Sequence, residues 1–207
     1  MDPLFLHRFQ FAFTASFHYL FPQLTMGLAL LIVVLKTMHI RGNEVAGDAA
    51  RFSIRIFGLS FVMGVITGIP LEFQFGTNWS RFSEAAGGVI GQTLAMEGVF
   101  AFFLESTFLY ALVFGERRFG PKMHYAASIL LFIGSWASGW FIICTNAFMQ
   151  YPVGYRVEGD ALKLANFGEF FLSPWAFVQY AHTMTGALLT GSAVLAGIGA
   201  LYALRRI

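Results

Sequence analysis

"AMEGVFAFFLEST", residues 95–107, holds two carboxylates, Glu97 and Glu105, within a run that is otherwise apolar and aromatic. Placing a charged side chain at the centre of a bilayer costs about 2.5–3.5 kcal/mol on insertion scales, so a chain that carries two acids in one such run has a use for them there. The rest of the composition supports a lipid setting. Of 207 residues, 57% are hydrophobic, 17% aromatic and only 12% charged, with a mean hydropathy of +0.66. A soluble globular domain carries roughly 25% charged residues. The deficit, with long apolar runs, reads as an integral membrane protein with lipid as its first partner. The net charge of +2 is small, and no basic patch interleaved with aromatics appears, so no nucleic-acid partner is expected. The single cysteine, Cys144, excludes an internal disulfide framework and a paired-cysteine metal site. Its neighbours in "FIICTNAF" suit a small buried side chain. The start "MDPLFLHRFQ" lacks clustered positive charge, and the first apolar segment is too long for a signal peptide, so no cleavable leader is expected.

Working outward from residues 95–107, five runs are long enough to cross the hydrocarbon core as helices: about 11–37, 54–75, 92–114, 124–149 and 174–204. None shows period-2 alternation, which excludes a barrel, and the expectation is an all-α bundle of five transmembrane helices forming a single domain over 1–207. Lysine and arginine set its direction. Lys36, Arg41, Arg51, Arg55, Arg117, Arg118, Lys122, Arg205 and Arg206 fall at one end, against Arg8, Arg81, Arg156 and Lys163 at the other. The excess belongs inside, which puts the N-terminus outside. Small residues four apart, Gly64 with Gly68 and Gly134 with Ser138, allow close helix packing.

His18, Glu72, Glu97, Glu105 and His182 are acids and histidines set within these spans. With the N-terminus outside, all five belong to the outer half of the bundle, a shared level that scattered packing residues would not produce. Glu72, followed by "QFGTNW", suits a solvated helix end. Glu97 and Glu105 are separated by eight residues, about 12 Å along the axis and about 80° beyond two full turns, so both can face one interior path. They suit a proton relay, or neutral carboxyls hydrogen-bonded inside the bundle. His7, His39 and His124, at span ends or in connections, read as solvated or interfacial. Zinc or copper wants three or four clustered nitrogen or thiolate ligands, and only two histidines share this level. Haem iron needs only one or two axial ligands in an apolar slot. On spacing alone, haem binding and a proton-coupled carrier both remain open.

Longer motifs carry a resemblance. "RFQFAFTASFHYLFPQLTMGLALL" (8–31), "GVITGIPLEFQFGTNWSRFS" (64–83), "AMEGVFAFFLESTF" (95–108), "NAFMQYPVG" (146–154) and "QYAHTMTGALLTG" (179–191) resemble, in order and interval, subunit I of the cytochrome bd-type quinol oxidases. The resemblance implies a bacterial or archaeal cytoplasmic-membrane subunit with three haems, which takes electrons from quinol and reduces oxygen. It makes His18 the axial ligand of an oxygen-reactive high-spin haem and His182 one ligand of the low-spin haem b, with haem d a further candidate cofactor. Glu97 and Glu105 become ligand, proton donor or proton path beside the oxygen-reactive haems, and Ser106 and Ser138 hydroxyls along that path. Arg8 becomes a partner of haem propionates. Members of the family continue past this length, through helices that supply the methionine opposite the His182-type ligand, a glutamate ligand and the quinol loop. The chain alone is therefore expected to be incomplete. A second oxidase subunit, a related chain or a second copy would supply what is missing. The alternatives are a short haem b subunit of another respiratory complex, a proton-coupled carrier without haem, and a structural or assembly subunit.

The charge asymmetry makes a direct prediction. In a Cys144→Ser background, Lys163→Cys is labelled by an impermeant maleimide on intact spheroplasts, whereas Arg118→Cys is labelled only after lysis. The reverse pattern inverts the orientation.

Overall fold

Asp2 accepts a hydrogen bond from the Leu4 amide (3.1 Å) and proline stands in the first turn, so α1 (Pro3–Ile40) starts with part of its orphan donor set satisfied. Asn43 does the same for α2 (Glu44–Gly76) by accepting from the Ala46 amide. The third span is composite: α3 (Ser80–Met96), a π turn (Glu97–Phe102) and α4 (Phe103–Phe114). Next comes α5 (Glu116–Gln150), interrupted at Gly120, whose φ of 76° lies in the left-handed region; Pro121 restarts the helix with its fixed φ. A hairpin, β1 (Tyr155–Glu158) with β2 (Ala161–Leu164), and a short α6 (Phe167–Phe171) precede α7 (Pro174–Arg205). This computed structural model describes residues 2–205; Arg206, counted above among the inner-end cations, lies outside them.

Five helical segments are long and apolar enough to cross a membrane, as expected from the sequence. They run further than the apolar stretches themselves. The 38 residues of α1 extend about 57 Å at 1.5 Å per residue, nearly twice the roughly 30 Å hydrocarbon core. Stretches that read as polar connections are therefore largely helical ends, because a helix keeps its backbone bonds satisfied on either side of the lipid boundary. The hairpin was not anticipated in the polar connection before the last span. It is antiparallel, pairing Tyr155 with Leu164 and Val157 with Leu162. It packs against α3 so closely that a Cβ on Gly88 would sit 2.7 Å from the Leu162 carbonyl oxygen.

The interior is layered. One apolar cluster joins Val89 and Ile90 of α3 to Cys144, Phe148, Phe170 and Ala176. A second joins Leu28 and Ile32 of α1 to Ile54 and Phe57 of α2, Leu112 of α4 and Leu131 of α5. Between Leu131 and Cys144 the same helix carries Ser135 and Ser138, so the clusters are separated by a polar belt. The outer surface is apolar, with Leu59, Phe73, Phe9 and Phe13 all exposed, as lipid-facing positions are. Cys144 is buried, and its thiol lies 3.6 Å from the Phe171 carbonyl oxygen.

The first and last spans close on each other through small residues. At Gly27 of α1 a Cβ would run into the Ala187 carbonyl of α7, and at Gly191 it would sit 3.1 Å from the Gly27 carbonyl carbon. Without a hydrophobic driving force between helices in lipid, such contact supplies the packing energy. Gly27→Ala is expected to cost about 1–3 kcal/mol, the usual penalty of overpacking, seen as a lower thermal midpoint of the detergent-solubilised protein. An unchanged midpoint removes this contact from the account.

Candidate functional site

Burying a carboxyl requires that it receive hydrogen bonds from its surroundings, and α5 provides them. Ser138 Oγ donates to Glu97 Oε1 at 2.8 Å. One turn away on the same face, Ser135, 1% exposed, lies beside the carboxyl of Glu105, which is 6% exposed. Gly134 makes the approach possible: a Cβ there would sit 3.1 Å from the Glu105 amide nitrogen. The small pair Gly134 and Ser138 therefore does more than pack helices. It brings the α5 backbone against Glu105 and a hydroxyl against Glu97.

The π turn at Glu97–Phe102 lies between the two acids. Its i→i+5 bonding makes a wider turn that advances fewer degrees per residue than an α-helix. The offset of about 80° expected for a regular helix narrows, and both acids meet the same neighbour. Ser106, next to Glu105, has a buried hydroxyl without a hydrogen-bond partner among the described residues. Glu72 is exposed on α2, four residues before its end, in keeping with a solvated helix terminus. It is close enough to Glu97 for their charges to interact, as Glu97 is to Glu105.

His18 is half-buried on α1, with Nδ1 3.0 Å from Thr67 Oγ1 of α2. Thr67 commits its own proton to the Met63 carbonyl at 2.8 Å. Its hydroxyl also lies 3.2 Å from the Gly64 carbonyl oxygen. A metal-ligating histidine is usually oriented in this way by a partner on its other nitrogen. The α2 backbone comes close enough that a Cβ on Gly68 would lie 3.1 Å from His18 Cε1. Pro22, four residues on, has no amide hydrogen to offer the His18 carbonyl.

His182 is exposed on α7 and lines an open groove with Ile143, Asn146, Trp175, Gln179 and Thr183. A run of amides forms one wall: Asn146 donates to Gln179 (3.0 Å) and Gln179 to Gln150 (2.8 Å). His182, at an open groove of mixed polar and apolar lining, and His18, held by Thr67, both carry imidazoles of the kind that can hold a haem iron. Among the described residues, no three His, Cys, Asp or Glu side chains cluster as a metal-ion site. Arg8 is exposed, about 15 Å from His18 along α1 toward its N-terminus at 1.5 Å per residue; the structure does not bring it to the imidazole.

Two expectations are corrected or refined. His124, read as solvated or interfacial, is 0% exposed, with Nε2 2.7 Å from the Leu112 carbonyl oxygen. The α5 helix restarts at Pro121 under α4, which covers the ring and gives it a backbone acceptor. Lys36, counted as a membrane-flanking cation, is 3% exposed and 3.5 Å from Glu116. Sequence reasoning also missed Thr67 and Ser135. Both were within reach, since Thr67 lies between the small residues Gly64 and Gly68, and Ser135 falls one turn from Ser138 on the same face.

Comparison with known proteins agrees with this architecture. The cytochrome bd terminal oxidase subunit I family matches residues 6–207. Cytochrome bd-II ubiquinol oxidase subunit 1 of Escherichia coli (strain K12) is 40% identical over 207 residues, covering 99% of this chain and 40% of its own length. Cytochrome bd ubiquinol oxidase subunit 1 of Bacillus subtilis (strain 168) is 37% identical over 207 residues, covering 100% of this chain and 44% of its own length. The structure of bd oxidase from Geobacillus thermodenitrificans matches with a TM-score of 0.91 at 32% identity, over 97% of this chain and 47% of that one. The chain thus spans less than half the length of these relatives.

The Glu97–Ser138 bond is testable without reference to function. Ser138→Ala is expected to shift the infrared carboxyl band that Glu97→Gln abolishes, because Glu97 loses its donor. A band unmoved by Ser138→Ala would place that hydroxyl elsewhere.

Proposed function

The chain belongs to the cytochrome bd terminal oxidase subunit I family, and from that premise we propose that it is the haem-carrying part of a quinol:oxygen oxidoreductase, with protons delivered through Glu105 and Glu97. It is a multi-pass protein of the bacterial cytoplasmic membrane by its five apolar spans and its bacterial relatives. The observation that carries the proposal is the paired geometry of the polar belt: two acids in one span, each met by an α5 serine.

When bound, haem b, with haem d a further candidate, supplies the redox chemistry that moves electrons from quinol to oxygen. The chain's own residues do the rest. His18, positioned by Thr67, would hold one haem through its imidazole. His182 would hold another haem from the wall of the α5–α7 groove, with further ligands supplied by a partner. Glu105, inside the bundle, holds a proton where water is scarce. Ser106 and Ser138 are hydroxyls on the way from it to Glu97, which gives the proton up or serves as a ligand itself. Arg8, at the outer end of α1, is available to propionates. The N-terminus faces outside, so protons enter from the inner end. A second oxidase subunit, with a related chain or further copy, completes the ligand set.

The test is a reduced-minus-oxidised visible spectrum of the chain with what copurifies, followed by carbon monoxide. Haem b bands are expected, with a carbon monoxide response if an open haem is held. His182→Ala should remove one haem. Glu105→Gln should leave the haems in place and slow oxygen consumption by about 100-fold or more, as loss of a proton-transfer group does. A colourless preparation from haem-replete cells would overturn the haem reading in favour of a carrier. Full turnover in Glu105→Gln would remove the proton path.

A further inference from the structure

Proton delivery to Glu105 needs a first stop at the inner end of the bundle, and the geometry there singles out His124. Its ring is 0% exposed. The Leu112 carbonyl can only accept, so Nε2 carries the hydrogen and donates to it at 2.7 Å. Nδ1 is left as a lone pair, buried and without a partner among the described residues. Leaving such an acceptor unmet is costly, a cost that a packing residue has no reason to carry.

The groups around this nitrogen lead to the surface. Glu116, 36% exposed, precedes the break at Gly120 and interacts electrostatically with the His124 ring, as does Lys36 of α1. Lys36 Nζ reaches Glu116 Oε1 at 3.5 Å, and Arg51 of α2 reaches the same oxygen at 3.3 Å. Arg51 is also paired with Asp48, an exposed residue. From α4 the ring receives only the Leu112 carbonyl. Among the described residues Glu116 is therefore the acid that faces both the surface and His124.

The groups on the other side lead to the acids. Ser128, Ser135 and Ser138 follow His124 by 4, 11 and 14 residues, which at 100° per residue puts them within about 40° of its azimuth on α5. They form one stripe on the face toward α4. Ser128 is fully buried one turn above His124, and its hydroxyl donates to the Tyr125 carbonyl at 2.6 Å. Leu131, fully buried in the second apolar cluster, occupies the next position of the stripe, so that Ser128 and Ser135 lie about 10 Å apart along the axis. Beyond it lie Ser135 with Glu105 and Ser138 with Glu97.

We propose that His124 is the inner proton relay of this chain, taking protons from Glu116 or water at the surface and passing them along the α5 serine stripe to Glu105. The inference rests on the proton role proposed for Glu105. The step is a proton transfer only. An O–H bond breaks at Glu116 or water as an N–H bond forms at Nδ1, and the same hydrogen leaves from Nδ1 to the next acceptor inward. Nε2 keeps its bond to Leu112 throughout, so His124 holds its place while it changes charge.

The test uses the assembled oxidase and the variant His124→Gln. The glutamine amide can still donate to the Leu112 carbonyl but takes up no proton, which separates holding the fold from carrying charge. The expected result is an unchanged haem spectrum with oxygen consumption lower by roughly 10-fold or more, partly restored as pH falls. A haem-replete His124→Gln enzyme within twofold of the parent across the pH range overturns the relay. If His124→Gln fails to assemble, His124→Ala is assayed with and without imidazole: return of turnover supports the relay, and none overturns it. A parent enzyme without haem bands would overturn the haem reading as well, whereas a haem-replete His124→Gln enzyme at full rate overturns the relay alone.

Discussion

A carboxyl inside a lipid-wrapped bundle depends on neighbouring helices for hydrogen bonds, and much of this structure follows from α5 being that neighbour. Ser138 meets Glu97, Ser135 sits beside Glu105, and Gly134 removes the side chain that would hold the helices apart. The polar belt lies between two apolar clusters that pack as any interior does. Water is excluded above and below, so the interactions within the belt act at low dielectric. The same exclusion makes an unmet polar atom expensive, which is why the few buried ones, on Ser106, Gln74 and His124 among others, mark places where structure alone gives an incomplete account.

The histidines are held by different means. His18 is oriented by Thr67 on the neighbouring helix, whose hydroxyl lies 3.0 Å from Nδ1. His182 stands at the edge of a groove whose wall is a chain of side-chain amides. The first arrangement is complete within this chain. The second is open on one side, as expected of a chain that covers less than half the length of its relatives.

The fold was largely legible in the sequence because the two signals involved, apolar length and the absence of alternation, are local. The five spans fall inside the helices observed. What escaped was non-local or irregular. Lys36 and Glu116 are 80 residues apart, and no pattern in either helix announces that they meet. His124 looked interfacial because it opens an apolar run, but its burial depends on where α4 ends and how Gly120 turns the chain. The hairpin strands are four residues each and carry mixed side chains, too short for their period to stand out from a polar connection. At the candidate site, the acids and histidines declared themselves by their rarity in lipid. Their partners Thr67 and Ser135 did not, because a hydroxyl in a membrane helix usually bonds back to its own backbone.

The π turn bears on mechanics as well as on direction. An α-helix is a stiff rod because each turn is tied to the next by a regular ladder of bonds, and a turn that widens to i→i+5 interrupts the ladder. The third span is therefore two shorter rods joined at Glu97–Phe102. Tilting of α3, against which the hairpin packs, can be taken up at that joint while α4 keeps Glu105 against α5. A change of angle at that joint would alter the distance between Glu97 and Glu105 while the span stays continuous.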